Sequence, residues 1–165
     1  MVAKRAPALD AIDVKILAAL QADGRSTIQK LAARVGLSAR ACLERVRRLE
    51  QAGVIAGYQA VIELRLLSRP VNVFAEIILE KQANHGRFEK RISAIDSVVE
   101  CWEVSGGVDY IARIVCPDLA EYQELTNELI DDEALGVARI VSHVALRPVR
   151  RFTGYPARLL SRKPG

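Results

Sequence analysis

The chain contains few cysteines, histidines and aromatic residues. Its three cysteines, Cys42, Cys101 and Cys116, are an odd number without C-x-x-C spacing, which argues against a disulfide framework and against a zinc finger. The two histidines, His85 and His143, are far apart in the sequence, so a local metal site is not indicated either. No apolar run approaches the roughly 18 residues that a membrane span needs, and no hydrophobic signal region follows the N-terminus. We therefore expect a soluble, cytoplasmic protein without metal or cofactor.

The composition allows a folded core, and the charges are unevenly distributed. Half of the 165 residues are hydrophobic and 27% are charged. Residues 1–60 carry ten Lys or Arg and five Asp or Glu, residues 61–146 carry eight and 15, and residues 147–165 carry six and none. Basic ends around an acidic middle suggest a polyanion-binding part joined to a domain with another task, although a solubility pattern without a partner remains the alternative.

The first 53 residues predict three short helices with clear start and stop signals. Asp10 is placed to cap the first helix, and the S-x-x-Q segment from Ser26 to Gln29 has the form of a capping box for the second. Gly36 supplies the stop of the second helix, and Ser38 caps the third. Two capped helices joined by a short turn that contains glycine are typical of a helix-turn-helix.

The remaining sequence predicts an α+β domain. Residues 54–62 favour one or two short strands, and 63–70 form a linker that ends in Pro70. Then follow a strand from Val71, a helix near 86–95, strands near 98–105 and 108–116, a helix over 118–132 and a strand over 137–147. This order is the ferredoxin-like βαββαβ arrangement. The predicted fold class is thus α+β, with an N-terminal winged helix-turn-helix of three helices plus short strands and a C-terminal ferredoxin-like domain. The predicted segments are 1–62, 63–70, 71–150 and a solvated basic tail, 151–165.

The third predicted helix has one apolar and one cationic face. Its inward face contains Ala39, Cys42, Leu43, Val46 and Leu49, while four arginines lie within nine residues of the helix. The planar guanidinium of arginine suits both phosphates and guanine edges. The candidate DNA-binding residues are Ser26, Thr27, Ser38, Ala39, Arg40, Ala41, Glu44, Arg45, Arg47 and Arg48.

Within this set, position on the helix separates two roles. The residues expected to read base edges are Ser38, Ala39, Arg40, Ala41 and Glu44, because such proteins place the start of their second helix in the major groove. Arg47 and Arg48 are expected to hold phosphates. The alternative is a solvated charged face on which Glu44 and Glu50 pair with the arginines.

Several segments of the sequence resemble a known family. They are Leu9–Leu17, Asp23–Arg25, Leu31–Ser38, Arg45–Glu50 and Gly53–Tyr58, followed by the G-x-x-D-Y turn Gly106–Tyr110. With the order of the predicted elements, they resemble the Lrp/AsnC transcriptional regulators over about residues 9–150. The resemblance implies binding of double-stranded DNA by a homodimer that assembles into higher oligomers, such as an octamer. It also implies a small-molecule effector, usually an amino acid, bound at interfaces between C-terminal domains.

The candidate effector-binding residues are Gly106, Gly107, Asp109, Tyr110 and Ser142. An amino acid needs an anion for its ammonium group and donors for its carboxylate, and Asp109 and the glycine N–H groups supply these. Asp109 could instead be a turn residue that bonds its own backbone, and Ser142 could be a structural hydroxyl. His143 points to the opposite face and is expected at a surface or interface. Trp102 is expected in interface or core packing.

Two other functions are compatible with this architecture. Sirohaem decarboxylases resemble it and are enzymes, but they need no basic recognition helix, so the arginines of the third helix favour a non-enzymatic regulator. An architectural DNA-binding protein that ignores effectors is the second alternative.

Overall fold

The structure is a computed structural model that describes residues 8–80 and 83–161. The helices are α1 (Ala11–Ala22), α2 (Ile28–Val35), α3 (Ala39–Gln51), α4 (His85–Ile92), α5 (Leu119–Asp131) and α6 (Ala157–Leu160). The strands are β1 (Val71–Leu79), β2 (Val98–Glu103), β3 (Tyr110–Cys116) and β4 (Val137–Val144), and a short 3-10 turn covers Leu64–Leu66. None of the helices in the described ranges is long and apolar enough to cross a membrane.

The chain divides into two compact units. The first contains Met1–Val61 and Arg150–Gly165, and the second contains Ile62–Val149. The first unit has 15 Lys or Arg and five Asp or Glu, which gives a formal charge of +10. The second has nine and 15, which gives −6. The chain therefore passes from the basic unit into the acidic unit and returns to the basic unit at its end.

The helices of the first unit begin and end at local signals. Asp10 caps α1 by accepting hydrogen bonds from the N–H groups of Ile12 and Asp13, and Ser38 caps α3, as the sequence predicts. Gly36 ends α2 in the left-handed conformation, with φ of 74°. The cap of α2 is Thr27 rather than Ser26, because the helix begins one residue later than the capping-box pattern suggests.

The core of the first unit is formed by the three helices. Its buried side chains are Ile16, Leu17, Ala19, Leu31, Ala32, Val35, Cys42, Val46 and Leu49. On the predicted inward face of α3, Cys42, Val46 and Leu49 are buried, Leu43 is half-buried and Ala39 is exposed. The apolar periodicity thus identifies the centre of the packed face but not its N-terminal end.

The short strands expected within residues 54–62 do not form. The N–H groups of Val54 and Ile55 instead donate to the carbonyl of Leu49 at the end of α3. Both side chains pack against the core of the first unit, whereas residues 56–62 are exposed. A β-forming sequence needs a partner strand, and the described part of the chain provides none for this segment.

The second unit is a four-stranded antiparallel sheet with the order β2-β3-β1-β4. This confirms the ferredoxin-like arrangement. One face of the sheet packs against α4 and α5, and its buried strand residues alternate along β1 and β3, as the period of two requires. The core residues of this unit are Val73, Ala75, Ile77, Leu79, Phe88, Ile92, Tyr110, Ala112, Ile114, Cys116, Tyr122, Leu129, Leu135 and Val137.

The opposite face of the sheet carries aromatic side chains that no helix of the second unit covers. Phe74 on the central strand β1 is 42% exposed, and Trp102 on the edge strand β2 is 64% exposed. Trp102 is therefore not a core residue of the subunit. Val99 and Cys101 on β2 are also exposed, whereas Tyr110 and Ala112 on β3 lie in the core.

The C-terminal segment departs from the predicted solvated tail. Residues 150–161 belong to the first unit, where α6 contacts α1 and Leu160 packs against the helical core. Residues 162–165, the remainder of the predicted tail, lie outside the described residues.

Candidate DNA interface and effector site

The outward side of α3 presents charged side chains to solvent. The side chain of Arg40 is 91% exposed and its Nε lies 3.3 Å from an oxygen of Glu44, one helical turn later. Arg47 is exposed, and among the described residues it makes no ion pair. Glu50 does not pair with an arginine, because its carboxylate accepts a hydrogen bond from the hydroxyl of Tyr58 at 3.0 Å. The alternative hypothesis, in which Glu44 and Glu50 pair with the arginines of α3, therefore holds only for the exposed Arg40–Glu44 pair. Such a pair stabilises a helix by about 0.3–0.5 kcal/mol.

Two other arginines of α3 are bound to a buried carboxylate on α1. The side chain of Asp13 is 1% exposed, and its two oxygens lie 2.8 Å from Arg45 and 2.6 Å from Arg48. Arg45 also lies 2.7 Å from Asp10. Asp13 additionally accepts the backbone N–H of Asp10, so the buried carboxylate is fully hydrogen-bonded. A buried charge is tolerated when it is paired and bonded in this way.

The arrangement changes the pKa values of the partners. The pKa of Asp10 lies below its ordinary value, first because the backbone N–H of Asp13 donates to its carboxylate and second because Arg45 does so. The pKa of Arg45 is raised, because both aspartates stabilise the charged guanidinium. Asp10 and Arg45 therefore remain charged at neutral pH.

This network separates the four arginines of α3 into classes. Arg40 and Arg47 are exposed and directed to solvent, whereas Arg45 is half-buried and engaged by two aspartates. Arg48 is intermediate, since its side chain is 53% exposed while one nitrogen contacts Asp13. Arg45 thus acts in positioning α3 on α1. Sequence reasoning missed the role of Asp13, although its position three residues after the helix-capping Asp10 could have indicated a buried carboxylate.

The N-terminus of α2 offers a further polar surface. Thr27 is exposed and uses its hydroxyl to accept the N–H of Lys30, while Ser26 is half-buried. On α3, Ser38 and Ala39 are exposed and Ala41 is half-buried. A shallow depression of about 260 Å³ on α3 is lined by Ala41, Glu44, Arg45 and Arg48.

The hairpin between β2 and β3 holds three of the predicted effector residues. Gly106, with φ of 128°, and Gly107 are exposed, and open space surrounds both positions. Asp109 is half-buried, and its carboxylate accepts the N–H of Leu79 at 2.8 Å. The side chain thus bonds the end of β1 rather than its own turn. Among the described residues, its second oxygen has no hydrogen-bond partner.

Tyr110 follows Asp109 in the sequence, but its side chain points into the core of the second unit. The residue is buried, its ring contacts Phe88 at a centroid distance of 4.8 Å, and its hydroxyl donates to Glu89 at 3.0 Å. His85 Nδ1 lies 3.0 Å from the same hydroxyl. Burial, followed by the carboxylate of Glu89, raises the pKa of Tyr110 far above its ordinary value, so the phenol remains neutral.

A cavity between α4 and β2 was not predicted from the sequence. It measures about 240 Å³ and is lined by Glu89, Ile92, Ser93, Cys101, Glu103 and Tyr110. Its residues come from the three consecutive elements α4, β2 and β3, and no local motif links them. Tyr110 is the one predicted effector residue among those that line this cavity.

Ser142 is separate from the hairpin residues. Its hydroxyl forms a hydrogen bond with the hydroxyl of Tyr122 on α5, so it faces the helices as a structural group. His143 faces the other side of the sheet, where its Nε2 lies 3.3 Å from Glu76. This agrees with its predicted surface position. Ser142 pairs with Ala75, whereas Asp109 lies at the far side of β1, so the structure does not gather the five predicted effector residues around one point.

Comparisons with known proteins agree with both halves of the chain. A family model described as winged helix-turn-helix DNA-binding matches residues 9–56, and one described as the Lrp/AsnC ligand binding domain matches residues 72–155. The chain belongs to the Lrp/AsnC family. It is therefore a transcriptional regulator with a DNA-binding helix-turn-helix domain and a ligand-binding domain, and the relatives described below are regulators rather than enzymes.

Individual relatives of the Lrp/AsnC chain cover most of its length. It is 46% identical to the Bkd operon transcriptional regulator of Pseudomonas aeruginosa, over 86% of this chain and 93% of the relative. It is 45% identical to a leucine-responsive regulatory protein of Haemophilus influenzae, over 74% and 75% of the two chains. A transcriptional regulator of Neisseria meningitidis, solved as a complex with L-Met, matches with a TM-score of 0.84 and 28% identity, over 92% of this chain and 99% of that chain.

Proposed function

We propose that this Lrp/AsnC chain is a sequence-specific cytoplasmic regulator whose effector is an amino acid and which acts as a homodimer or a larger homo-oligomer. One observation carries the proposal: exposed arginines on α3 belong to the same chain as a complete Lrp/AsnC ligand-binding domain. The first feature supplies DNA recognition and the second supplies a response to a small molecule.

The DNA contacts follow from the exposed side of the helix-turn-helix. Ser38, Ala39 and Arg40 lie at the start of α3, where such helices meet base edges in the major groove. Arg47, half-exposed Arg48 and the N-terminal turn of α2 at Thr27 are placed to hold phosphates. Arg45 contributes by fixing the position of α3 through Asp10 and Asp13 rather than by contacting DNA.

An amino acid fits the chemistry of the hairpin between β2 and β3. The free oxygen of Asp109 can accept an ammonium group, and the exposed backbone of Gly106 and Gly107 can approach a carboxylate closely. The names of a leucine-responsive relative and of a neighbour bound to L-Met support the same ligand class. Tyr110 points into the core next to the hairpin and Ser142 bonds Tyr122 away from it, so neither is proposed to contact the ligand directly.

The open face of the sheet supports assembly of the subunits. An apolar sheet face is stable only when another layer covers it, and Phe74 and Trp102 remain exposed within one subunit. A second copy of the chain provides that layer through two-fold symmetry, because both copies present the same surface. Larger assemblies, such as an octamer, would then place the hairpins at interfaces between dimers.

A melting-temperature screen with the twenty amino acids and with sirohaem tests the ligand class. A ligand that binds only the folded protein raises its melting temperature, by an amount that grows with concentration. We expect one amino acid or a few related ones to do so. A response to sirohaem alone would favour the enzymatic alternative, and no response to any ligand would favour an architectural DNA-binding protein; either result contradicts the proposal.

A further inference from the structure

The end of the chain is anchored on the first helix of the DNA-binding unit. The side-chain amide of Gln21, on α1, forms two hydrogen bonds with the backbone of Tyr155: the N–H of Tyr155 donates to the amide oxygen at 2.6 Å, and the amide nitrogen donates to the carbonyl at 3.2 Å. Further along, Leu160 packs against the helical core. Three contacts thus hold a segment that lies 134 residues away from Gln21 in sequence.

The approach of the segment to α1 requires glycine. Gly154 has φ of 118°, a conformation that side-chain-bearing residues rarely adopt. A Cβ at this position would lie 2.8 Å from the amide oxygen of Gln21 and 2.9 Å from its amide carbon. The conformation of Gly154 and the absence of a Cβ therefore allow the close contact between this segment and Gln21.

The anchored segment presents a surface that is basic and aromatic. Arg150, Arg151 and Arg158 are exposed, and no acidic residue occurs after position 146. The rings of Phe152 and Tyr155 pack edge to face, with centroids 5.0 Å apart, and both are exposed. Exposed arginines with interleaved aromatic rings are suited to phosphates and sugars.

We propose that residues 150–161, anchored on α1, form a second DNA-contacting surface that binds the phosphate backbone beside the helix-turn-helix. The inference rests on the proposed DNA-binding function and extends it beyond the recognition helix. Gln21, the anchoring residue, is six positions before Thr27, which caps the phosphate-facing end of α2. The segment therefore adds positive charge to the unit that carries the recognition helix.

The acidic unit of a neighbouring subunit is the competing partner for this segment. DNA is favoured because the arginines are held on a unit whose other part, Met1–Val61, already carries a formal charge of +5, and contacts to a single polyanion reinforce one another. A segment that binds a neighbouring subunit does not need to be anchored on the DNA-binding unit of its own chain. Sedimentation of the charge-removing variants shows whether the segment contacts a neighbouring subunit instead of DNA, because loss of a subunit contact changes the oligomeric state.

The test compares the salt dependence of DNA binding between two charge-removing variants of the full chain. The first is R150Q/R158Q, in the anchored segment, and the second is R87Q/K90Q, which removes two exposed charges from α4 in the other unit. Each lost phosphate contact lowers the slope of log affinity against log salt by about 0.9. We expect the first variant to lose about two units of slope for each subunit that contacts the duplex, and the second to retain the wild-type slope.

A third variant tests the anchor itself. Gly154→Ala keeps every charge but displaces the segment from Gln21, so we expect weaker binding with little change in slope. Duplex binding by the wild-type chain tests the proposed DNA binding independently of these differences. Equal slopes for the wild type and R150Q/R158Q would overturn the inference, and a change in sedimentation without a change in slope would assign the segment to a neighbouring subunit.

Discussion

The carboxylate of Asp13 on α1 lies 2.6 Å from the guanidinium of Arg48 on α3, and its other oxygen contacts Arg45. One buried charge therefore fixes the recognition helix at two successive turns. The consequence is that residues chosen from sequence as DNA contacts also determine the orientation of the helix that carries them.

Asp13→Asn should destabilise the first unit. The substitution removes the charge that both arginines face, and we expect a loss of about 2–3 kcal/mol in the free energy of unfolding. This is less than the 3–5 kcal/mol typical of breaking a fully buried pair, because water can solvate the half-exposed Arg48. Urea unfolding followed by helical circular dichroism measures the loss.

Glu44→Gln is the matched control for that measurement. It removes the exposed partner of Arg40, and a surface pair of this kind contributes at most about 1 kcal/mol. Equal stability of the two variants would show that the buried network does not hold α3.

Arg47→Ala and Arg40→Ala should affect DNA binding in different ways. Loss of Arg47 should weaken binding to all sequences and lower the salt slope by about one unit, as expected for one phosphate contact. Loss of Arg40 should relax the preference at one base pair, at a cost of about 1–3 kcal/mol. Affinities for a panel of duplexes at several salt concentrations decide the matter, and identical behaviour of the two variants would refute the assignment of roles.

Phe74→Glu should convert the proposed dimer into monomers. It replaces an apolar ring with a carboxylate that would lose its hydration in a two-fold interface, a cost that the cross-strand neighbours Arg113 and His143 offset only in part. Leu119→Glu, at an exposed position on the helical side of the same unit, should leave the dimer intact. Sedimentation velocity at micromolar concentration compares them, and a monomeric wild-type chain would already contradict the proposed assembly.

Asp109→Asn should abolish the response to the effector while preserving the fold. The asparagine oxygen can still accept the N–H of Leu79, but the negative charge for an ammonium group is lost. DNA affinity without effector should stay within about threefold of wild type, since substitutions away from the contact surface change free energies by about 0.5 kcal/mol.

Asp118→Asn is the control for Asp109→Asn, because asparagine also caps helices and this position lies at the start of α5. If Asp109→Asn responds to the effector with wild-type affinity, Asp109 serves only to bond β1. If it fails to fold, its contact with Leu79 is structural and the effector must bind elsewhere.

The sequence predicted those features that depend on local interactions. Asp10, Gly36 and Ser38 mark helix ends through their own neighbours, and the sequence after Pro70 marked a strand that begins at Val71. These signals operate within a few residues and can be recognised without a structure. The order of the strands then followed from the connections between them.

Features that depend on distant contacts were not predictable in this way. The pairing of Asp13 with Arg45 and Arg48 joins helices more than 30 positions apart, and the anchoring of Leu160 joins the two ends of the chain. The pattern of residues 54–62 predicted strands, yet strand formation depends on a partner as well as on propensity. Four of the predicted effector residues come from the G-x-x-D-Y turn, and that motif alone does not indicate that Tyr110 points inward.

Fluorescence anisotropy of a labelled duplex, measured with and without each amino acid that raises the melting temperature, tests the central claim most directly. Coupling between two sites on one protein is typically about 1–3 kcal/mol, or about 5–150-fold in affinity. We predict that at least one such amino acid changes the affinity of the wild-type chain for DNA by about fivefold or more. Unchanged DNA affinity with every one of them would contradict the account of this chain as an amino-acid-responsive regulator.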